Sequence, residues 1–332
     1  MLVGKAQEFL FQRIKEKLPH GDSLAESIGS ILHLSSDSAY RRIRGETALT
    51  LNETSDLCSF FGISMDMLLH AGSRSVSFEF CRLEPGQYSF TDYLSDILGK
   101  LKDVHGSRQK QIICLTKDIP LFQQFLFKPL FEFRYFFWMK FIVQDPAFQQ
   151  RQFAFDSLPL EVENLGHQII STYSDIPSVE IWNAECVSSV IYQIEYFAQA
   201  GTFRSKADVL RIYDSLLEWL HHLRVQAEFG VKYLPGQNPE FRPQNFQLYY
   251  NQLILGDNTM LATAGSVQTA YVNYNTLNYL QTSDRTFCEQ LQKELNSLMR
   301  RSAQISVVGE KQRNGFFGIM EERIRDATNK MS

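Results

Sequence analysis

Residues 24–44 read LAESIGSILHLSSDSAYRRIR, and this stretch decides how the amino-terminal part of the chain is built. Leu24, Ala25, Ile28, Ile31 and Leu32 recur at the spacing of one helical face. Asp22 or Ser23 stands where a side-chain oxygen can accept from the unpaired N–H groups of that helix's first turn. After His33 and Leu34, the pair Ser35 and Ser36 offers a second cap, and Asp37 puts a carboxylate at the positive end of the dipole of a new helix, SDSAYRRIRG. On that helix Ala39, Tyr40 and Ile43 form the apolar face, while Asp37, Ser38, Arg41 and Arg42 point elsewhere. Gly45 supplies its stop.

Working outward, Phe9, Leu10, Ile14 and Leu18 predict an upstream helix that Pro19 and Gly21 end. Downstream, Thr50 caps a helix containing Leu51, Thr54, Leu57, Phe60 and Phe61. A short helix then follows Gly62 with Ile63, Met65, Leu68 and Leu69. None of these helices is long enough to be stable alone, so five of them are expected to share one small core.

Two short helices joined by a tight turn, the second apolar beneath and basic outside, describe a helix-turn-helix. Gly29, four residues before His33, is the small residue that a close crossing needs. Residues 24–69 thereby resemble the Cro/C1-type (XRE) helix-turn-helix family of bacterial and phage regulators, although His33 stands where that family usually has Gly. The YRRIRGE ending of the third helix resembles a subset of such regulators that carry a long carboxy-terminal region. The resemblance implies a five-helix DNA-binding domain whose third helix enters the major groove, with Ser36, Asp37, Ser38, Tyr40, Arg41, Arg42 and Arg44 as the DNA-facing set. Chemically, the forked guanidinium of Arg41 or Arg42 suits either guanine or phosphate. Ser36 and Ser38 sit where backbone N–H groups also point at an anion, and Arg44 near the helix end suits a phosphate. The plainer alternative is a solvated basic helix face; agreement among cap, small residue, apolar stripe and closing helices favours DNA.

Charge limits this reading. The chain has 33 Lys and Arg against 37 Asp and Glu, a net charge of −4, and residues 1–72 carry seven cations against nine acids. Phosphate neutralisation supplies most sequence-independent affinity, so one such domain binds weakly and a homodimer on two half-sites is expected. At 332 residues with 44% hydrophobic and 21% charged residues, the chain is folded and long enough for two domains. The five cysteines are scattered and form no CxxC pair, which argues against a disulfide framework or zinc site and fits a reducing cytoplasm. MLVGKAQEFLFQRIKEKL lacks the uninterrupted apolar core and small-residue cleavage site of a secretory signal, so export by that route is not expected. The chain's most apolar stretch, Leu130 to Val143, is shorter than the ~20 residues of a membrane span and contains Glu132, Arg134 and Lys140.

The expected organisation is a DNA-binding domain over 1–72, a linker over 73–90, and a dimerisation and sensor region over 91–332. That region should be mainly helical over 91–240 and mixed α/β over 241–332, so the fold class is mainly α with a mixed α/β carboxy-terminal part. Val76, Phe78 and Phe80 alternate like a strand, and Gln111 to Thr116 reads as either a strand or a helix start. Pro159 opens a helix to about Tyr173, Ser178 is expected to start another that ends at Gly201, and Ser205 with Asp208 boxes a third that stops at Gly230. Later, 246–255, 260–264, 267–273 and 305–308 read as strands, with helices from Asp284 and from about Glu310 to Thr328. Residues 121–141 hold ten aromatic side chains, Phe122, Phe131 and Trp138 among them, against 13% for the whole chain. They predict either an aromatic-walled pocket or, preferred because an aromatic stripe brings no convergent polar groups, a core or dimer interface.

No phosphate-binding glycine loop, metal-ligand spacing or nucleophile elbow occurs, so no catalytic residue, metal or cofactor is expected. The expected function is a non-enzymatic, dimeric, sequence-specific transcriptional regulator of double-stranded DNA, with a small-molecule or protein effector and no membrane association. The alternative is an interaction protein whose amino-terminal helices bind a protein partner.

Overall fold

Ser35 Oγ accepts from the backbone N–H of Ser38, and this one contact starts the third helix of the chain at Ser36. The computed structural model describes residues 3–18, 22–65, 68, 76–81, 89–253 and 256–331. It divides into two units, Met1–Phe78 and Glu79–Ser332.

In the first unit, α1 (Val3–Lys17), α2 (Leu24–Ile31), α3 (Ser36–Ile43) and α4 (Leu51–Phe61) enclose Leu10, Phe11, Ile14, Ile28, Ala39 and Leu57. Ser23 caps α2, and Thr50 with Glu53 forms a reciprocal capping box on α4. Gly62, at φ +59°, ends α4 in the left-handed conformation that a glycine adopts without penalty. The short helix expected after it lies partly outside the described residues, but Ile63 and Leu68 are buried in the same core. Most of the expected linker also lies outside them.

The second unit is built on one eight-stranded sheet in the order β1-β7-β6-β5-β2-β3-β4-β8. The strands are β1 (Glu79–Cys81), β2 (Lys110–Thr116), β3 (Ser178–Trp182), β4 (Phe246–Tyr250), β5 (Thr259–Ala264), β6 (Val267–Asn273), β7 (Tyr279–Thr282) and β8 (Ala303–Gln304). β2, β3 and β4 are parallel, and the remaining pairings are antiparallel. Such parallel strands need helical crossovers. α5 (Phe90–Gly106) precedes β2; α6 (Lys128–Phe137), the short α7 (Pro146–Gln149) and α8 (Leu160–Ser174) lie between β2 and β3. α9 (Ser188–Gln199) and α10 (Lys206–Phe229) lie between β3 and β4, α11 (Arg285–Arg300) lies between β7 and β8, and α12 (Glu310–Met331) follows β8. The chain is thus mainly α with a mixed α/β carboxy-terminal part.

Alternation along β2 separates two layers. Ile112 and Cys114 join the large core with α5, α6, α8, α9, α10 and α12, whereas Ile113 packs with Val179, Ile181 and Leu261 beneath Cys288 and Leu295 of α11. The aromatic run supplies the large core: Phe125, Phe133, Phe136 and Trp138 are fully buried beside Phe153 and Phe197.

Three strands differ from the sequence reading, which expects none at β7 (Tyr279–Thr282). Ser178 starts β3, not a helix, and α9 begins ten residues later. All five residues of SVEIW are buried, because a central parallel strand is covered on both faces and loses the alternation that marks a strand. Even Glu180 is enclosed, accepting from the Tyr173 hydroxyl at 2.5 Å and from Trp182 Nε1 at 2.8 Å. The strand expected at 305–308 is instead Ala303–Gln304, since Val307 at φ +63° and Gly309 at φ +70° turn the chain out of the sheet. Gly309 is obligatory there, because a Cβ would stand 2.3 Å from Gln304 O. The open segment 111–116 is β2.

Candidate nucleic-acid interface

The turn between α2 and α3 is closed by Leu34 N–H donating to Gly29 O at 2.8 Å. Gly29 is buried, and a Cβ there would lie 3.1 Å from Leu34 O, so the small residue sits at the close crossing. His33 adopts φ +53°, the left-handed conformation that a glycine takes at no steric cost.

The core grips α3 through Ala39, fully buried, and Ile43, partly buried. Tyr40, read as part of that apolar face, is instead 50% exposed. At 100° per residue it lies well round the helix from the line joining Ala39 and Ile43. Arg42 lies a similar angle round on the other flank, and there the structure corrects the second expectation. Its Nε and one Nη both donate to Glu53 Oε1, at 3.0 and 2.7 Å, and the other Nη reaches Ser38 O at 3.3 Å. Arg42 therefore fastens α3 to α4 and is not part of the outward face.

Ser36, Asp37, Tyr40, Arg41 and Arg44 are exposed together on the outer side of α3 and its end. Ser38 is partly covered, with its hydroxyl 3.0 Å from Ser35 Oγ. Arg41 and Arg44 share one acid, Glu46, at 3.8 and 3.1 Å, with side chains 55% and 59% exposed. Exposed pairs of this kind contribute little, so a phosphate or a guanine edge can replace Glu46 at small cost. Asp37 in the first turn suits a base-edge donor such as cytosine N4 and opposes a phosphate.

Two supporting residues escaped the sequence reading. Gln7 on α1 donates to Arg42 O at 2.7 Å and Thr47 O at 2.9 Å, and accepts from Leu49 N–H at 3.0 Å, so one amide satisfies one backbone group in the last turn of α3 and two in the loop after it. Glu53 holds Arg42 while completing the α4 capping box; the Thr50-x-x-Glu53 spacing was its visible signal.

Residues 8–85 match the BetR domain family. The BetR domain is a helix-turn-helix-like DNA-binding domain, and here the matched span contains α2, the turn, α3 and α4 entire. No curated protein and no solved structure gives a significant match to the chain. No described helix is long and apolar enough to cross a membrane.

Proposed function

We propose that the chain is a dimeric, sequence-specific transcriptional regulator of the Cro/C1 (XRE) type, in which α3 reads the major groove and the second unit dimerises and responds to an effector. The observation that carries the reading is the outward row of Ser36, Asp37, Tyr40, Arg41 and Arg44, on a helix pinned from beneath by Ala39 and Ile43, inside the BetR-matching span. A major groove about 12 Å wide admits one such helix. Arg41 is placed to read a base or phosphate, Arg44 to hold phosphate at the helix end, and Ser36 to meet the backbone at the helix start. A net acidic first unit makes two copies necessary, and the spacing of the two reading helices then sets the half-site separation. An effector acts by preferring one spacing over another, shifting the population without touching DNA. No enzymatic step is part of the proposal.

The test is duplex binding by the full chain over a salt series, with Arg41→Ala plus Arg44→Ala as the comparison. Affinity should fall linearly on a log–log plot, by a slope of about 0.9 per phosphate neutralised. The double variant should lose sequence preference with its helical content intact. Salt-independent binding, or retained preference, would support protein-partner recognition instead.

A further inference from the structure

We propose that the second unit holds a binding site for a small aromatic monocarboxylate, in the cavity outside the carboxyl end of β2, with Arg134 as the anchor for its carboxylate. The cavity measures about 140 Å³ and lies between α5, β2 with the loop after it, β5, β6 and β7. In open sheets with parallel strands, this end is where ligands collect. Its walls include Tyr93, Phe122, Met260 and Tyr271, and that space is close to the ~150 Å³ that accommodates a benzene ring in an apolar protein cavity.

Two polar groups in this wall lack the partners their burial calls for. Arg134 on α6 is 2% exposed, and among the described residues its guanidinium donates only to the amide oxygens of Gln124 and Gln193. Among the described residues no carboxylate forms an ion pair with it; burial lowers its affinity for its proton to a value of about 10, and the charge of Asp118 on the same wall offsets only part of that. A buried cation without a hydrogen-bonded counter-charge is costly, and an anion that reaches it directly removes that cost. Thr116, on the same face of β2 as Ile112 and Cys114, is 7% exposed, and its Oγ1 has no hydrogen-bond partner. Both groups border the cavity.

The remaining charges on the wall are Asp118 and Lys100, the latter donating to the Tyr279 hydroxyl and to Gln281 at 2.8 Å each. Two cations against one acid leave room for a single negative charge. The ring of the ligand packs on the aromatic wall, one carboxylate oxygen takes the guanidinium, and Thr116 donates to the other. Arg134 stays in place without ligand because its guanidinium carbon sits 5.3 Å from the Trp138 ring centre and 5.4 Å from that of Phe137.

The site rests on the second unit alone, and its test contains no DNA, so its failure is separable from failure of the DNA-binding reading. Calorimetry on the full chain would compare benzoate, phenylacetate and 4-hydroxybenzoate, each against its neutral amide. At least one acid should bind ten-fold or more tighter than its amide, and Arg134→Gln should remove that preference. Thr116→Val, nearly isosteric, should weaken the same acid at least three-fold, and it decides the matter if Arg134→Gln does not fold. Binding by none of the three acids, equal binding of acid and amide, or unchanged affinity in the folded variants would overturn the site and leave Arg134 as a structural cation beside a hydrated cavity.

Discussion

Arg42 and Glu53 are joined by two hydrogen bonds to a single carboxylate oxygen, 3.0 and 2.7 Å long, across the gap between α3 and α4. The pair separates the three arginines of the YRRIRG segment into one that holds α3 against α4 and two, Arg41 and Arg44, that lie exposed beside Glu46. Its side chains are only 16% and 18% exposed, so replacing Arg42 with Ala should loosen the first unit by about 1.5–3 kcal/mol, the range of a hydrogen bond to a charged group. Amide hydrogen exchange of Leu57, buried in α4, reads this locally. Arg41→Ala and Arg44→Ala should leave that exchange unchanged; equal effects of all three would contradict the division.

The same pair predicts an acid-sensitive step. Burial would raise the Glu53 carboxyl, but hydrogen bonds from Thr50 and Arg42 and the charge of Arg42 outweigh it and hold the group below its ordinary 4.5. A folded value that is depressed means a contribution fully present above the unfolded value and lost as pH falls through the folded one. Exchange protection in α4 should therefore differ between the wild type and Glu53→Gln at neutral pH and converge below 4.5. A difference that persists undiminished in acid would rule the ionised pair out as its source.

His33 holds φ +53° in the turn, where a side chain is strained and a glycine is not. Exchanging it for Gly should stabilise the first unit by about 0.5–1 kcal/mol, the relief of a left-handed Cβ less the extra freedom of the unfolded chain. Destabilisation would mean that the imidazole makes a contact that outweighs the strain.

Glu180 is the acceptor for two buried donors, the Tyr173 hydroxyl and Trp182 Nε1. Truncation to Ala should cost the second unit about 2–5 kcal/mol, since both donors lose their partner inside the core. Trp182 stacks on Trp219 with ring centres 5.9 Å apart, so tryptophan fluorescence during urea unfolding follows that unit, and an unchanged midpoint would contradict the network.

What was legible in the sequence was local. Ser35, Thr50, Ser205 with Asp208, and Gly230 announce helix ends because each acts on backbone groups within one turn of itself. β3 was hidden because burial on both faces erases its period, and Glu180 in its midst reads as a polar residue when it is an enclosed acceptor. Along the candidate interface, the cap, Gly29 and the exposed Arg41 were visible. The inward turn of Arg42 was not, since its partner lies eleven residues away on another helix. The cavity beside Arg134 was illegible for the same reason: its wall gathers residues from Tyr93 to Tyr279.

DNA recognition by α3 is tested most sharply by selection with the full chain from a random pool of duplex DNA. An inverted repeat whose half-sites lie about one helical turn apart, ~34–36 Å, should be enriched, with Arg41→Ala relaxing the preference at matching positions in both halves. A pool that emerges without enrichment, or a motif that Arg41→Ala and Arg44→Ala leave unchanged, would contradict recognition by α3.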